Sequence, residues 1–186
     1  SELDELRKRV EEIVEENDRV LRELEKRVRE LSERNKKTLK ELTKRVREIL
    51  ERLKELKDRG EDKDTLDKAI RRVEEEVKEL VERVTRHDEE SKKEVRKLVD
   101  EARKHLEESK KRVDDLKRKV EKRLGQLEEV KEVVRRLEEK VKESLDRAEK
   151  VLRRLEREAR ESNRRHEEEV RRLKEEIDRV VTELRR

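Results

Sequence analysis

Leu and Val recur along almost the whole chain at three- and four-residue spacing, and the positions between them are filled by Glu, Lys and Arg. That spacing places the apolar residues on one face of an α-helix. In the first third the pattern repeats bodily: LDELRKRVEEIVEENDRV (3–20), LRELEKRVRELSERNKKT (21–38) and LKELTKRVREILERLKEL (39–56) follow one another with a period of 18 residues. Related repeats begin at Leu66, Val84 and Ala102, and again at Val130, Ala148 and His166. Eighteen residues over five turns is about 3.6 per turn, the natural helical period, whereas a heptad would impose a left-handed supercoil. The pattern therefore predicts nearly straight helices. At 100° per residue the apolar positions of each segment fall within an arc of about 120°.

The repeats are interrupted at two places, and these hold the only two glycines, Gly60 and Gly125. Gly60 suits the left-handed residue just past a helix end, and Asp62 or Asp64 can cap the next helix by accepting from its first free amides. Ser1, with Asp4, offers a similar start to the first helix. The predicted helices run over about 2–58, 65–123 and 126–185, with turns at about 59–64 and 124–126; at 1.5 Å per residue each is about 85–90 Å long. A single helix running through Gly125 would swing its apolar stripe by about 80°, because the repeat restarts out of phase at Val130. A hairpin there removes the conflict. The expected fold is all-α: a single-chain, up-down-up three-helix bundle forming one elongated domain over residues 1–186.

Composition narrows the function classes. Lys and Arg number 59 and Asp and Glu 55, so 61% of the chain is charged and 28% apolar, and Pro, Phe, Tyr, Trp, Met and Cys are all absent. So few apolar residues cannot fill a sphere, but they can fill a narrow seam between helices. No run is long and apolar enough for a membrane span or a signal peptide. The net charge of +4 arises from finely interleaved signs, which reads as ion-paired helix surface rather than a nucleic-acid footprint, and aromatic platforms for single strands are missing. Lack of cysteine removes thiolate chemistry and thiolate metal sites. The absence of methionine suggests an expression product whose start was cleaved off. No second apolar stripe remains, so a monomer that needs no partner or cofactor is expected. Exchange of hairpins between chains at the short Gly125 turn is the one evident route to self-association.

The informative exceptions are polar residues at core positions of the repeat. Asn17 and Asn35 stand where Leu53 does; Ser32 replaces Val14 and Leu50, and Thr38 replaces Val20 and Leu56. In the second segment Ser91 and Ser109 match Val73, while His87 and His105 match Ala69. In the third, Ser144 and Ser162 match Val180, Asn163 matches Leu145 and Val181, and His166 matches Val130 and Leu184. With the segments folded up, down and up, the residue numbers of level positions add to about 123 across the first turn and about 249 across the second. Asn17, His105, Ser109 and Ser144 then converge in one layer. Ser32, Asn35, Thr38, His87, Ser91, Ser162, Asn163 and His166 gather in another, and the third copy is purely apolar. A buried Asn or Ser left unpaired costs about 1–3 kcal/mol, so two hydrogen-bonded layers that specify helix register and pairing are the expectation. Leucine at these places would raise stability.

Ideal repeats, charged outer faces, Leu and Val inside, minimal glycine turns and layers of Asn, Ser and His together resemble a computationally designed helical bundle with buried hydrogen-bond networks. The resemblance covers the whole chain and implies a scaffold with no natural activity, high thermal stability and no cofactor. Catalysis is not expected. His87 and Ser91 share a helix face, but Asp88 points about 100° away, and no oxyanion hole is evident. Metal binding by His87, His166 and Asp88 would need ligands gathered from separate helices, and no local His pair supports it. Two alternatives remain: a pH-responsive bundle, in which a buried imidazole loses its acceptor on protonation and stability falls below about pH 6.5, and a component of a larger helical assembly.

Overall fold

The computed structural model describes all 186 residues and consists of α1 (Glu2–Asp58), α2 (Lys63–Leu124) and α3 (Glu128–Arg185). The protein is a three-helix bundle without strands, 95% helical. Local sequence supports each helix. Proline is absent, Glu, Lys, Arg and Leu dominate, and acidic residues open each first turn while basic ones close each last turn, complementing the helix dipole.

The turn after α1 follows a defined hydrogen-bond scheme. Gly60 adopts φ 75°. Its amide donates to the Lys57 carbonyl at 3.0 Å and that of Glu61 to Leu56 at 3.3 Å, the paired bonds of a glycine-terminated helix. Asp62, rather than Asp64, caps α2, accepting from the Thr65 amide at 2.7 Å. Hydrogen bonds from Thr65 hold its carboxyl below the ordinary range. Helix α2 thereby starts two residues before the expected 65. Helix α3 starts two residues after the expected 126, because Leu127 ends the turn, with its amide on the Leu124 carbonyl at 3.2 Å. Leu127 is the one large apolar side chain left exposed, at 58%.

The chain forms two compact units, Ser1–Arg29 with Glu94–Glu158, and Glu30–Lys93 with Ala159–Arg186. Each draws on all three helices. The first has a core built on Leu6, Val10 and Ile13 of α1, Val113 and Val120 of α2, and Val130, Val134 and Val141 of α3. Its helix directions are marked by ion pairs: Glu2 with Arg123 and Arg27 with Glu94 run antiparallel, whereas Glu11 with Lys140 and Glu25 with Arg154 run parallel. The second unit packs Val46, Leu50 and Leu53 against Ile70, Val73 and Val77, with Leu173, Ile177 and Val181 completing the seam. There Arg45 reaches Glu76 at 2.9 Å, and the Lys57 ammonium caps the Glu183 carbonyl at 2.9 Å. Burying apolar surface in these seams supplies the main stabilising term.

Candidate functional site

The first unit holds the most enclosed polar contact. Asn17 of α1 and Ser109 of α2 are 3% and 1% exposed. The Ser109 hydroxyl donates to Asn17 Oδ1 at 2.8 Å. Ser144 of α3 is equally enclosed, yet its Oγ has no hydrogen-bond partner. His105 does not join this contact as expected. Its ring lies at the edge of the seam, and Nε2 faces Glu16 Oε1 of α1 at 3.8 Å, beyond hydrogen-bond reach. Arg112 approaches the same carboxylate at 3.6 Å.

In the second unit Ser91 donates to Asn35 Oδ1 at 3.1 Å, repeating the Asn17–Ser109 contact one repeat further along α1 and one back along α2. Asn35 is buried and Ser91 half-buried. The other expected members separate. His87 is exposed, which corrects its placement in the layer. Its neighbour Asp88 is buried instead, because the apolar stripe of α2 runs from Val84 through position 88 to Ser91 and Val95, spacings of four, three and four that leave position 87 outside. Thr38 is half-buried and donates to the Arg34 carbonyl of its own helix at 2.9 Å. Ser32 and Ser162 are half-buried and Asn163 buried, none with a cross-helix hydrogen bond.

His166 is buried, and its partner is Asp88: Nδ1 lies 3.4 Å from Oδ1. Burial pushes the Asp88 carboxyl above its ordinary range, opposed by the hydrogen bond and charge of His166. Glu167 adds to the rise and Lys92 opposes it; Lys92 lies 3.6 Å from Glu167 and 3.8 Å from Glu89. In the sequence Asp88 stands out as the neighbour of His87 and as a conceivable metal ligand with His87 and His166, not as a member of the polar layer. The signal was there: positions 70 and 106, one repeat either side, hold Ile and Leu, so an Asp at 88 is a polar substitution in the core column.

These contacts offer pairing rather than reaction chemistry. Ser91 is bonded to an amide oxygen and not to an imidazole, so no activated nucleophile results. No group of three or more His, Asp or Glu side chains converges where it could hold a metal ion. A recess of about 420 Å³ forms an open furrow between α1 and α2 of the first unit, floored by Ile13 and Leu116 and edged by charges of both signs such as Arg9, Glu16, Arg112 and Asp115. No helix is long and apolar enough to cross a membrane.

No protein-family model and no curated protein matches the sequence. A solved structure described as a "Computationally designed three helix bundle" is similar over 98% of this chain and 90% of its own, with a TM-score of 0.74 and 16% sequence identity. At that identity the likeness concerns the fold.

Proposed function

We propose that the chain is a designed structural scaffold without a natural biochemical activity, and that its buried polar contacts set the pairing and register of its helices. One observation carries the reading. The Asn-to-Ser hydrogen bond occurs twice, at Asn17 with Ser109 and Asn35 with Ser91, while the corresponding positions of the remaining repeat hold Leu53 and Val73. Three identical apolar repeats would pack almost as well after a slip of 18 residues. With two polar copies and one apolar, a slip sets an Asn against Val73, or a Ser against Leu53, and buries a polar group without its partner at a cost of about 1–3 kcal/mol. The designed helical bundle it resembles in fold accords with a scaffold role.

The test replaces both asparagines with Leu and both serines with Val. Greater thermal stability is expected, together with a broadened spin-label distance distribution between α1 and α2. A distribution as narrow as that of the parent protein overturns the register reading.

A second reading, a pH-responsive bundle, is supported by the Asp88–His166 pair, which joins two titratable groups inside the seam of the second unit. With the ring proton on Nδ1 the carboxylate accepts from it, and protonating the other ring nitrogen then keeps this contact, unlike an imidazole that serves as acceptor. Melts of the parent protein near pH 7.5 and pH 5 test that reading, and coincident curves overturn it.

A further inference from the structure

We propose that the first unit binds one structural water, held between the Ser144 hydroxyl of α3 and the side-chain amide of Asn17 of α1. The inference deepens the register reading and rests on it, because the water would tie α3 into a contact that otherwise joins only α1 and α2.

Ser144 is 3% exposed and its Oγ has no partner. A hydroxyl on a helix ordinarily relieves such isolation by donating to the carbonyl four residues back. Three threonines of this chain do so: Thr38 to Arg34, Thr43 to Leu39 and Thr182 to Asp178, at 2.9, 3.0 and 2.8 Å. Ser144 makes no such bond, although the Lys140 carbonyl stands in the equivalent place. Its hydroxyl is turned elsewhere.

Neighbouring ion pairs fix what lies level with it. Glu11 pairs with Lys140 and Glu25 with Arg154, both 129 positions apart. At that offset Asn17 stands opposite Asp146, two residues and about 3 Å of rise from Ser144. On the α2 side, Arg103 with Glu149 and Lys117 with Glu138 bracket Ser109 and Ser144. The three polar residues therefore share one level of the unit.

The hydrogen bonds left over are complementary. Asn17 Oδ1 accepts from Ser109, and this is the side chain's only hydrogen bond, so the two amide N–H donors remain. Ser144 Oγ offers a donor and two acceptor positions. A water can accept from the amide, donate to Ser144 and still donate once more, which meets the usual two to four partners of a buried water. Space is consistent with this. Asn17 has as many heavy atoms as the Leu53 of the apolar repeat, whereas Ser109 and Ser144 are each one heavy atom smaller than the corresponding Val73 and Val180. Two missing carbon atoms leave room for one water, whose share of liquid volume is about 30 Å³.

A high-resolution crystal structure of the full chain tests the site directly. The expected result is a solvent peak within about 3.2 Å of both Ser144 Oγ and the Asn17 amide nitrogen, absent in Ser144→Ala. Ser144 bonded instead to the Lys140 carbonyl, with no peak, overturns the water while leaving the Asn17–Ser109 contact and the register reading in place. In solution, a long-lived water-to-amide Overhauser effect at the Asn17 side chain should vanish in Ser144→Ala. Its absence in the parent protein, or persistence in the variant, equally overturns the proposal. Loss of the Asn17–Ser109 bond itself would instead remove the reading on which the proposal stands.

Discussion

The Ser109 hydroxyl and the Asn17 side-chain oxygen meet at 2.8 Å in the most enclosed polar contact of the protein. Removing one partner and removing both should have opposite consequences. Asn17→Ala strips Ser109 of its acceptor and opens a void, and a loss of about 1–3 kcal/mol is expected. Asn17→Leu with Ser109→Val restores an apolar column like that of Leu53 and Val73, and should be neutral or stabilising. Denaturant melts of the two single variants and the double variant give the coupling energy; additive effects would mean that the contact contributes nothing.

The repeated contact should be weaker. Ser91 bonds Asn35 at 3.1 Å and is only half-buried, so water can replace a lost partner there. Asn35→Ala is expected to cost about 1 kcal/mol less than Asn17→Ala, near the lower end for a hydrogen-bonded side chain. Equal losses in parallel melts would show that enclosure does not set the difference.

Most of the bundle was legible in the sequence because one period governs it. The turn at Gly60 and the end of α1 at Asp58 follow from glycine chemistry and the break in the repeat. The start of α3 was less legible, because Leu127 carries no capping oxygen to mark it. Among the polar positions, Asn17 and Asn35 share a column with Leu53, Ser109 shares one with Val73, and His166 shares one with Val130 and Leu184, and an apolar copy in the column marks each as a core position. His87 and Asp88 show the limit. The column of His87 is represented by Ala69, an edge position, whereas that of Asp88 holds Ile70 and Leu106, so the repeat turns Asp88 inward but does not name its partner on α3. His105 likewise belongs to that edge column and turns to Glu16. Cross-helix partnership is tertiary information that a single helix period does not carry.

Asp88 gives a pH dependence of definite sign. Its folded-state carboxyl is raised above the ordinary range by burial, with His166 opposing. A raised acid binds its proton more tightly in the folded state, so its contribution to stability is complete below the unfolded value of about 3.9 and is lost as pH rises through the folded value. Asp88→Asn keeps an acceptor for His166 and does not titrate. The variant should therefore be at least as stable as the parent at pH 7, by up to about 1 kcal/mol, or about 2–4 °C in Tm. Its advantage should shrink as the pH falls toward 3. Melts of both proteins between pH 3 and 7.5, compared as a difference so that the other carboxylates cancel, check this; a difference independent of pH refutes it.

The two glycines should respond differently to alanine. At Gly60 a methyl group meets nothing within 4 Å, but φ of 75° disfavours any L side chain. Gly60→Ala should cost about 1 kcal/mol and leave the turn intact, because the amides of residues 60 and 61 still reach the Lys57 and Leu56 carbonyls. At Gly125 the obstacle is contact: a Cβ would press into the backbone carbonyl of Glu121, which already accepts from the Gly125 amide at 2.8 Å. Backbone cannot rotate aside as a side chain can, so the end of α2 must move. Gly125→Ala should cost more than Gly60→Ala. Its effect should also be seen locally, as faster amide exchange around Leu124 and Val130 with little change near Leu66. If Gly60→Ala proves the more disruptive of the two, the left-handed conformation rather than the Glu121 contact dominates the energetics of these turns.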